Sequence, residues 1–257
     1  MTQPSIHPAA ASGFASNADD YERTRPGYPA AAVAHLAGAL GLGPGTTVAD
    51  VAAGTGKLTR LLVPLGGRVI AIEPVAEMRA FLASTCPGVD VLDGTAEDLP
   101  LADGSVDAVT VAQAFHWFDG PRAVASFARV LRPGGGLAVV YNHRDRAAPW
   151  LAAVNELVES QRAETPHHWD GRWEDALATG SPFEATGRAE FDNPQVLTPE
   201  EFVGRMRSLS FVGAMPPGRQ AELLGAIAAV LDAHPETAGR DQLVIGQRTT
   251  VATWRRR

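Results

Sequence analysis

One stretch constrains this chain more than any other: TTVADVAAGTGKLTRLL, at 46–62. Its β-branched start predicts a short strand over 46–51. Ala52, Ala53, Gly54, Thr55 and Gly56 then form a small-residue turn, and Leu58, Leu61, Leu62 and Leu65 at three-to-four spacing predict a core helix over 56–65. A strand feeding a glycine turn feeding a helix leaves backbone N–H groups that no side chain blocks, a place to lay a ligand against bare main chain. A second apolar strand, GGRVIAIEP, ends in Glu73, nineteen positions after Gly54. That distance lets a strand–turn–helix–strand unit present a carboxylate to a ribose diol.

Two phosphate-binding patterns are absent. G-x-G-x-x-G would need glycine at position 59, where Thr59 stands, and the Walker pattern fails because Gly56-Lys57 is followed by Leu58. The later segments come in a consistent order. They are a strand over 89–92, GTAEDLP at 94–100, a strand over 106–112 running into AQAFHWFD, a helix over 121–131 stopped by RVLRPGGG, and a strand over 137–141 ending in YNHRD. Asp119 reads as that helix's N-cap and Pro121 as its first-turn proline. Ligands in open α/β sheets sit beyond the carboxyl ends of strands, which turns 113–118 and 141–143 towards a site.

Taken together, DVAAGTG, the acid at Glu73, GTAEDLP and AQAFHWFD resemble the class I S-adenosylmethionine-dependent methyltransferases over about 14–142, most of all those acting on small molecules. The family often has glycine where this chain has Ala52. The resemblance implies an α/β fold: a Rossmann-like, doubly wound, mostly parallel seven-stranded sheet with an antiparallel last strand (242–254), plus a helical substrate cap. It divides the chain into a disordered tail at 1–17, a cofactor-binding domain at 18–145 and 183–257, and a cap insertion at 146–182. The cofactor implied is S-adenosyl-L-methionine and the partner a small-molecule methyl acceptor.

The same resemblance assigns roles. Asp50, Ala52, Gly54 and Gly56 would admit the methionine part, with Asp50 near its ammonium. Glu73 and Pro74 would take the ribose, Met78 would pack on ribose or adenine, and Thr95, Ala96 and Glu97 would take adenine. In the N-terminal segment NADDYERTRPGYP, Tyr21 would be a lid ring and Arg25 a fork on the methionine carboxylate. Gln113, Ala114, Phe115 and Trp117 would border the cofactor, where aromatic faces attract a sulfonium by about 0.5–2 kcal/mol. Tyr28, Phe118, Tyr141, Asn142 and Trp150 would line the acceptor. His116, then His143, are the candidate bases. Methyl transfer needs alignment and water exclusion more than donor activation, which fits the lack of an obvious catalytic dyad. The residues leave open whether the acceptor atom is O, N, C or S. Two alternatives stand beside this reading: a same-fold cofactor-binding protein catalysing another reaction, and an NAD-dependent oxidoreductase.

The 257 residues allow one domain plus a cap. A formal net charge of −7 argues against a nucleic-acid partner, and the apolar-leaning stretch at 33–42 is too short to span a bilayer. A single cysteine, Cys86, and no visible secretory signal at 1–17 point to the cytoplasm. His167 and His168 are adjacent and lack companions at ligand spacing, so no metal site is expected.

Overall fold

A computed structural model of the chain describes residues 22–144, 148–162, 172–178 and 180–257. The frame is a seven-stranded sheet: β1 (Thr47–Val51), β2 (Arg68–Ile72), β3 (Asp90–Leu92), β4 (Val106–Ala112), β5 (Leu131–Arg144), β6 (Phe183–Asp192) and β9 (Gln247–Arg256), in the order β3-β2-β1-β4-β5-β9-β6. β1 to β5 pair parallel, while β9 enters antiparallel between β5 and β6. This is the expected mostly parallel sheet with its last strand reversed.

The alternation of β1 shows why the sheet is covered on both faces. Val48 turns to one side with Ala108, Ala138, Val140 and Val251, under Leu36 of α1 (Ala30–Leu40) and Leu62 of α2 (Thr59–Leu62). Ala49 and Val51 turn to the other with Ile70, Val109 and Val139, under Val124 and Phe127 of α4 (Gly120–Val130). Asp119 caps α4 as its sequence predicts, its carboxylate accepting from Arg122 N–H at 3.3 Å. α3 (Ala76–Thr85) covers the β2 side, where Ala71, Leu82 and Cys86 pack together.

Several element bounds differ from those expected. The helix expected over 56–65 is only α2, followed by a 3₁₀ turn (Val63–Leu65), because Pro64 cannot supply the N–H that continued α-helix needs. β6 ends at Asp192, and β7 (Gln195–Leu197) starts after Asn193-Pro194. The last strand is divided at Gly246 into β8 (Leu243–Ile245), which pairs with β7, and β9.

A second core lies apart from the sheet. It joins Trp150, Leu151, Val154 and Val158 of α5 (Pro149–Glu159) to Phe202 and Met206 of α7 (Pro199–Arg207), Val212 of α8 (Ser210–Gly213), Ile227 of α9 (Pro217–Ala233), and the β7–β8 ribbon. α7 carries a full capping box between Thr198 and Glu201. Of the stretch expected as the cap, α5 belongs to this second core, whereas Trp173 of α6 (Arg172–Ala176) packs into the first. Most of the second core comes from residues after 195.

Candidate active site

The sheet order reverses between β1 and β4, and the crevice beyond their carboxyl ends is where open α/β sheets hold ligands. At its floor the β1 turn is wound left-handed three times: Ala52 at φ 53°, Gly54 at 59° and Gly56 at 85°. Ala52 is thus a non-glycine residue where glycine is the comfortable choice, which gives a physical reason for the family's glycine there. Gln113, just past β4, is likewise left-handed at φ 60°. Strained backbone at two adjacent strand ends marks this crevice as a functional place.

Glu73 holds the turn in shape. One carboxylate oxygen accepts from Gly54 N–H and the other from Val75 N–H, both at 2.9 Å. The carboxyl is only 4% exposed, and burial pushes its pKa up against the pull of those two donors. Each oxygen keeps acceptor capacity that two hydroxyl donors of a diol could fill. Gly54 leaves bare main chain at the crevice: a Cβ there would stand 3.8 Å from Met78 Sδ. Met78 itself is buried behind the turn, and Pro74 is half-buried beside Glu73.

Asp50 lies below the turn rather than in the crevice. It is 1% exposed, and its two oxygens accept from the hydroxyls of Thr59 at 2.6 Å and Thr110 at 2.8 Å. Burial outweighs these donors and raises its pKa to about 6. Thr59 occupies the place of a dinucleotide fold's third glycine, and its buried side chain is spent on Asp50.

The loop expected to take adenine keeps one unsatisfied group among the described residues. Thr95 Oγ1 is buried with no hydrogen-bond partner among the described residues, while Ala96 is buried and Glu97 accepts from Asp119 N–H at 2.8 Å. Gly94 is obligatory, since a Cβ would sit 2.6 Å from Pro100 Cδ. A cradle open to bare backbone, an acid at the second strand's end and an orphaned hydroxyl on the third loop suit an adenosine bearing a small zwitterion.

At the carboxyl ends of β4 and β5 stands an aromatic cluster. Phe115 is buried against Phe118, Phe127 and Trp173, with Ala114 buried beside it. Tyr141 is 1% exposed, and its phenol oxygen lies 3.1 Å from both the main-chain N and the Nδ1 of His116. Burial pushes this phenol far above its ordinary range, so it stays protonated. Trp117 stacks tilted on His116 at 4.9 Å. His143, on the same side of β5 as Tyr141, has its ring 6.1 Å from it; burial, aided by the Arg188 charge, pulls its pKa down, so it is a neutral imidazole.

Other expected residues fall elsewhere. Arg25 turns its fork onto Ser208, donating to its hydroxyl and its carbonyl at 2.9 Å each, while its charge also acts on Lys57 beside the β1 turn. Tyr28 packs in the α1 core, and Trp150 is buried against Phe202 in the second core. Asn142 donates to Gly27 O at 3.1 Å and accepts from Thr249 Oγ1 at 2.6 Å. Tyr21 lies outside the described residues, as do His167 and His168.

Sequence reasoning missed Glu22. It accepts from Thr55 Oγ1 at 2.7 Å, pairs with Arg60, and its carbonyl receives Lys57 Nζ at 2.6 Å. The N-terminal strap is therefore latched onto the β1 turn and the helix after it. The strap's acids and arginines were visible in the sequence, but not which of them meets the turn.

A family model described as "Methyltransferase domain" matches residues 49–139, the span from β1 into β5. Over 232 residues the chain is 37% identical to an uncharacterized methyltransferase of Mycobacterium tuberculosis, covering 90% of each. Among solved structures it is similar to a protein from Anaeromyxobacter dehalogenans described as a type II methyltransferase, with TM-score 0.67, 26% identity and coverage of 91% of this chain and 97% of that one. It also shares the fold of the geranyl diphosphate C-methyltransferase of Streptomyces coelicolor, whose structure holds S-adenosyl-L-homocysteine, with TM-score 0.52, 14% identity and coverage of 88% and 76%. With its sheet order, its crevice and these relatives, the chain belongs to the class I S-adenosylmethionine-dependent methyltransferases.

Proposed function

We propose that this chain binds S-adenosyl-L-methionine in the β1–β4 crevice and transfers its methyl group in line to a small-molecule acceptor. The observation that carries the reading is Glu73 bridging the N–H groups of Gly54 and Val75 at the end of β2. This fixes an acid with spare acceptor sites beside bare main chain, as a ribose diol next to an amino-acid tail requires. The structure of the same fold that holds S-adenosyl-L-homocysteine supports the choice of cofactor. Thr59, hydrogen-bonded to Asp50 where a dinucleotide site needs glycine, speaks against a nicotinamide coenzyme.

The bound cofactor supplies an electrophilic methyl on a positive sulfur. The chain's part is to orient and shield. Gly54 and Gly56 admit the amino-acid end, Glu73 takes the diol, and Thr95 Oγ1 with the main chain near Ala96 takes adenine. His116, held by Tyr141, and Trp117 border the methyl. His143, a neutral imidazole, accepts the acceptor's proton where one must leave. The second core, from α5 and α7 to α9, covers the acceptor, so the cap draws mainly on residues after 195. Incubation with methyl-labelled S-adenosyl-L-methionine and a fractionated metabolite extract tests this. Label should appear in a small product and fall at least tenfold in His143→Gln if a proton is removed. Cofactor binding without any labelled product would favour a same-fold catalyst of another reaction.

A further inference from the structure

Buried threonines in this chain spend their hydroxyls. Thr55 Oγ1 donates to Glu22, Thr59 and Thr110 donate to Asp50, and Thr237 Oγ1 donates to Leu231 O at 2.6 Å. On β9, Thr249 Oγ1 donates to Asn142 Oδ1 at 2.6 Å, and Thr253 Oγ1 bonds the Thr186 hydroxyl at 2.9 Å. Two threonines stand apart: the Oγ1 atoms of Thr95 and Thr250 are buried with no hydrogen-bond partner among the described residues. Thr95 lies on the loop that the proposed function gives to adenine. Thr250, 4% exposed, belongs to no part of the cofactor site. A hydroxyl taken out of water without a partner is costly, so its presence points to a group that completes it.

The sheet register puts Thr250 at the crevice end of the sheet. It stands directly across from Tyr141 in the β5–β9 ladder, one rung beyond Ala112 and Val140, the last pair of β4 with β5. Alternation sends Thr249 with Asn142 to the α1 face and Thr250 with Tyr141 to the other, where the Trp173 ring of α6 lies 5.3 Å from the Tyr141 ring. His143, half-buried, is the next side chain along that face of β5 and a diagonal neighbour of Thr250, about 7 Å away.

The polar groups nearest in the ladder are turned elsewhere. Glu190, across from Thr250 on β6, directs its carboxylate to Arg248 at 3.4 Å, and the Tyr141 phenol oxygen lies 3.1 Å from the main-chain N and the Nδ1 of His116. The charges bordering this face are paired with one another, Arg188 with Glu174 at 2.9 Å and Arg248 with Glu190. The rung is therefore set for a neutral partner rather than an ion.

We propose that Thr250 binds the methyl acceptor, its hydroxyl meeting an uncharged hydroxyl, carbonyl or amino group that the acceptor carries beside the atom to be methylated. This rests on the proposed function for what the bound molecule undergoes. A threonine hydroxyl both donates and accepts, which suits any of those three groups. Its diagonal spacing from His143 lets one small molecule reach both side chains, so that Thr250 fixes the orientation in which the other end meets the imidazole.

Thr250→Val keeps the shape of the side chain and removes the hydroxyl, while Thr250→Ser keeps the hydroxyl. The melting temperature of unliganded Thr250→Val should not fall, because a hydroxyl without a partner adds nothing to the fold. A lower one would mean that the group is already bonded within the chain, and would overturn the proposal. Calorimetry with S-adenosyl-L-homocysteine should give an affinity within about threefold of wild type in both variants. A larger loss would place Thr250 on the cofactor and overturn it equally. Label transfer from methyl-labelled S-adenosyl-L-methionine is then measured against the concentration of the metabolite fraction that wild type labels. Thr250→Val should need about tenfold more of that fraction for half-maximal label, and Thr250→Ser about as much as wild type. Half-saturation unchanged in Thr250→Val, or shifted as far in Thr250→Ser, would overturn the assignment. No label from any fraction with wild type would instead overturn the proposed function, and this role with it.

Discussion

The two halves of the crevice are built differently. The side built on the β1 turn is local: Ala52, Gly54, Gly56 and Glu73, with Asp50 and Thr59 beneath them, all come from one strand–turn–helix–strand unit, and its acids are bonded by main-chain N–H groups and hydroxyls from that unit and the adjoining β4. The far side is assembled from afar, with Arg25, Arg144, Arg205 and Gln247 meeting across four separate segments. A turn that closes on itself within one unit takes its shape from its own neighbours, whereas a region assembled from distant segments takes its shape only from the tertiary fold.

The contrast can be broken where it is strongest. Gly56→Ala puts a Cβ 3.1 Å from Leu82 Cγ and 3.2 Å from Cys86 Sγ, at φ 85°. Overpacking plus left-handed strain should cost about 2–4 kcal/mol, read as a lower urea midpoint. The same change at Gly225 in α9, with nothing within 4 Å of the new Cβ, should gain about 0.5–1 kcal/mol. Equal effects at the two glycines would mean that the turn is not strained.

A smaller effect sharpens the cofactor side. Burial raises the folded-state pKa of Asp50 to about 6, above its value in the unfolded chain. Its contribution is therefore intact below a pH of about 4 and is lost as pH rises through about 6, where the buried carboxylate must ionise. Asp50→Asn removes this dependence. The stability difference, variant minus wild type, should grow by about 1 kcal/mol between pH 5 and pH 8 in paired urea titrations. A difference that stays flat over that window contradicts a buried, unpaired acid at this position.

The same division decides what the sequence made legible. DVAAGTG and Glu73 announce themselves because turn, helix start and acid lie within a few dozen residues, and short-range spacing survives in one dimension. The reversed last strand and the aromatic ends of β4 and β5 follow from the family pattern. Arg205 reads as an ordinary helix arginine in PEEFVGRMR, and nothing local says that Gln247 and Arg144 will face it. The strap's composition did not reveal that Arg25 would meet the Ser208 hydroxyl 183 positions away. Trp150 was expected to line the acceptor, and tertiary packing alone places it against Phe202.

The central claim is that Glu73 and the bare Gly54 main chain together grip an adenosine with an amino-acid tail. Calorimetry of S-adenosyl-L-homocysteine against wild type and Glu73→Ala, with NADH as the rival ligand and melting temperatures recorded alongside, tests it most directly. The account predicts about micromolar binding to wild type, corresponding to about 8 kcal/mol. It predicts at least a hundredfold weakening in a still-folded Glu73→Ala, and no heat with NADH. Unchanged affinity in Glu73→Ala, or saturable binding of NADH with none of the homocysteine, would contradict it.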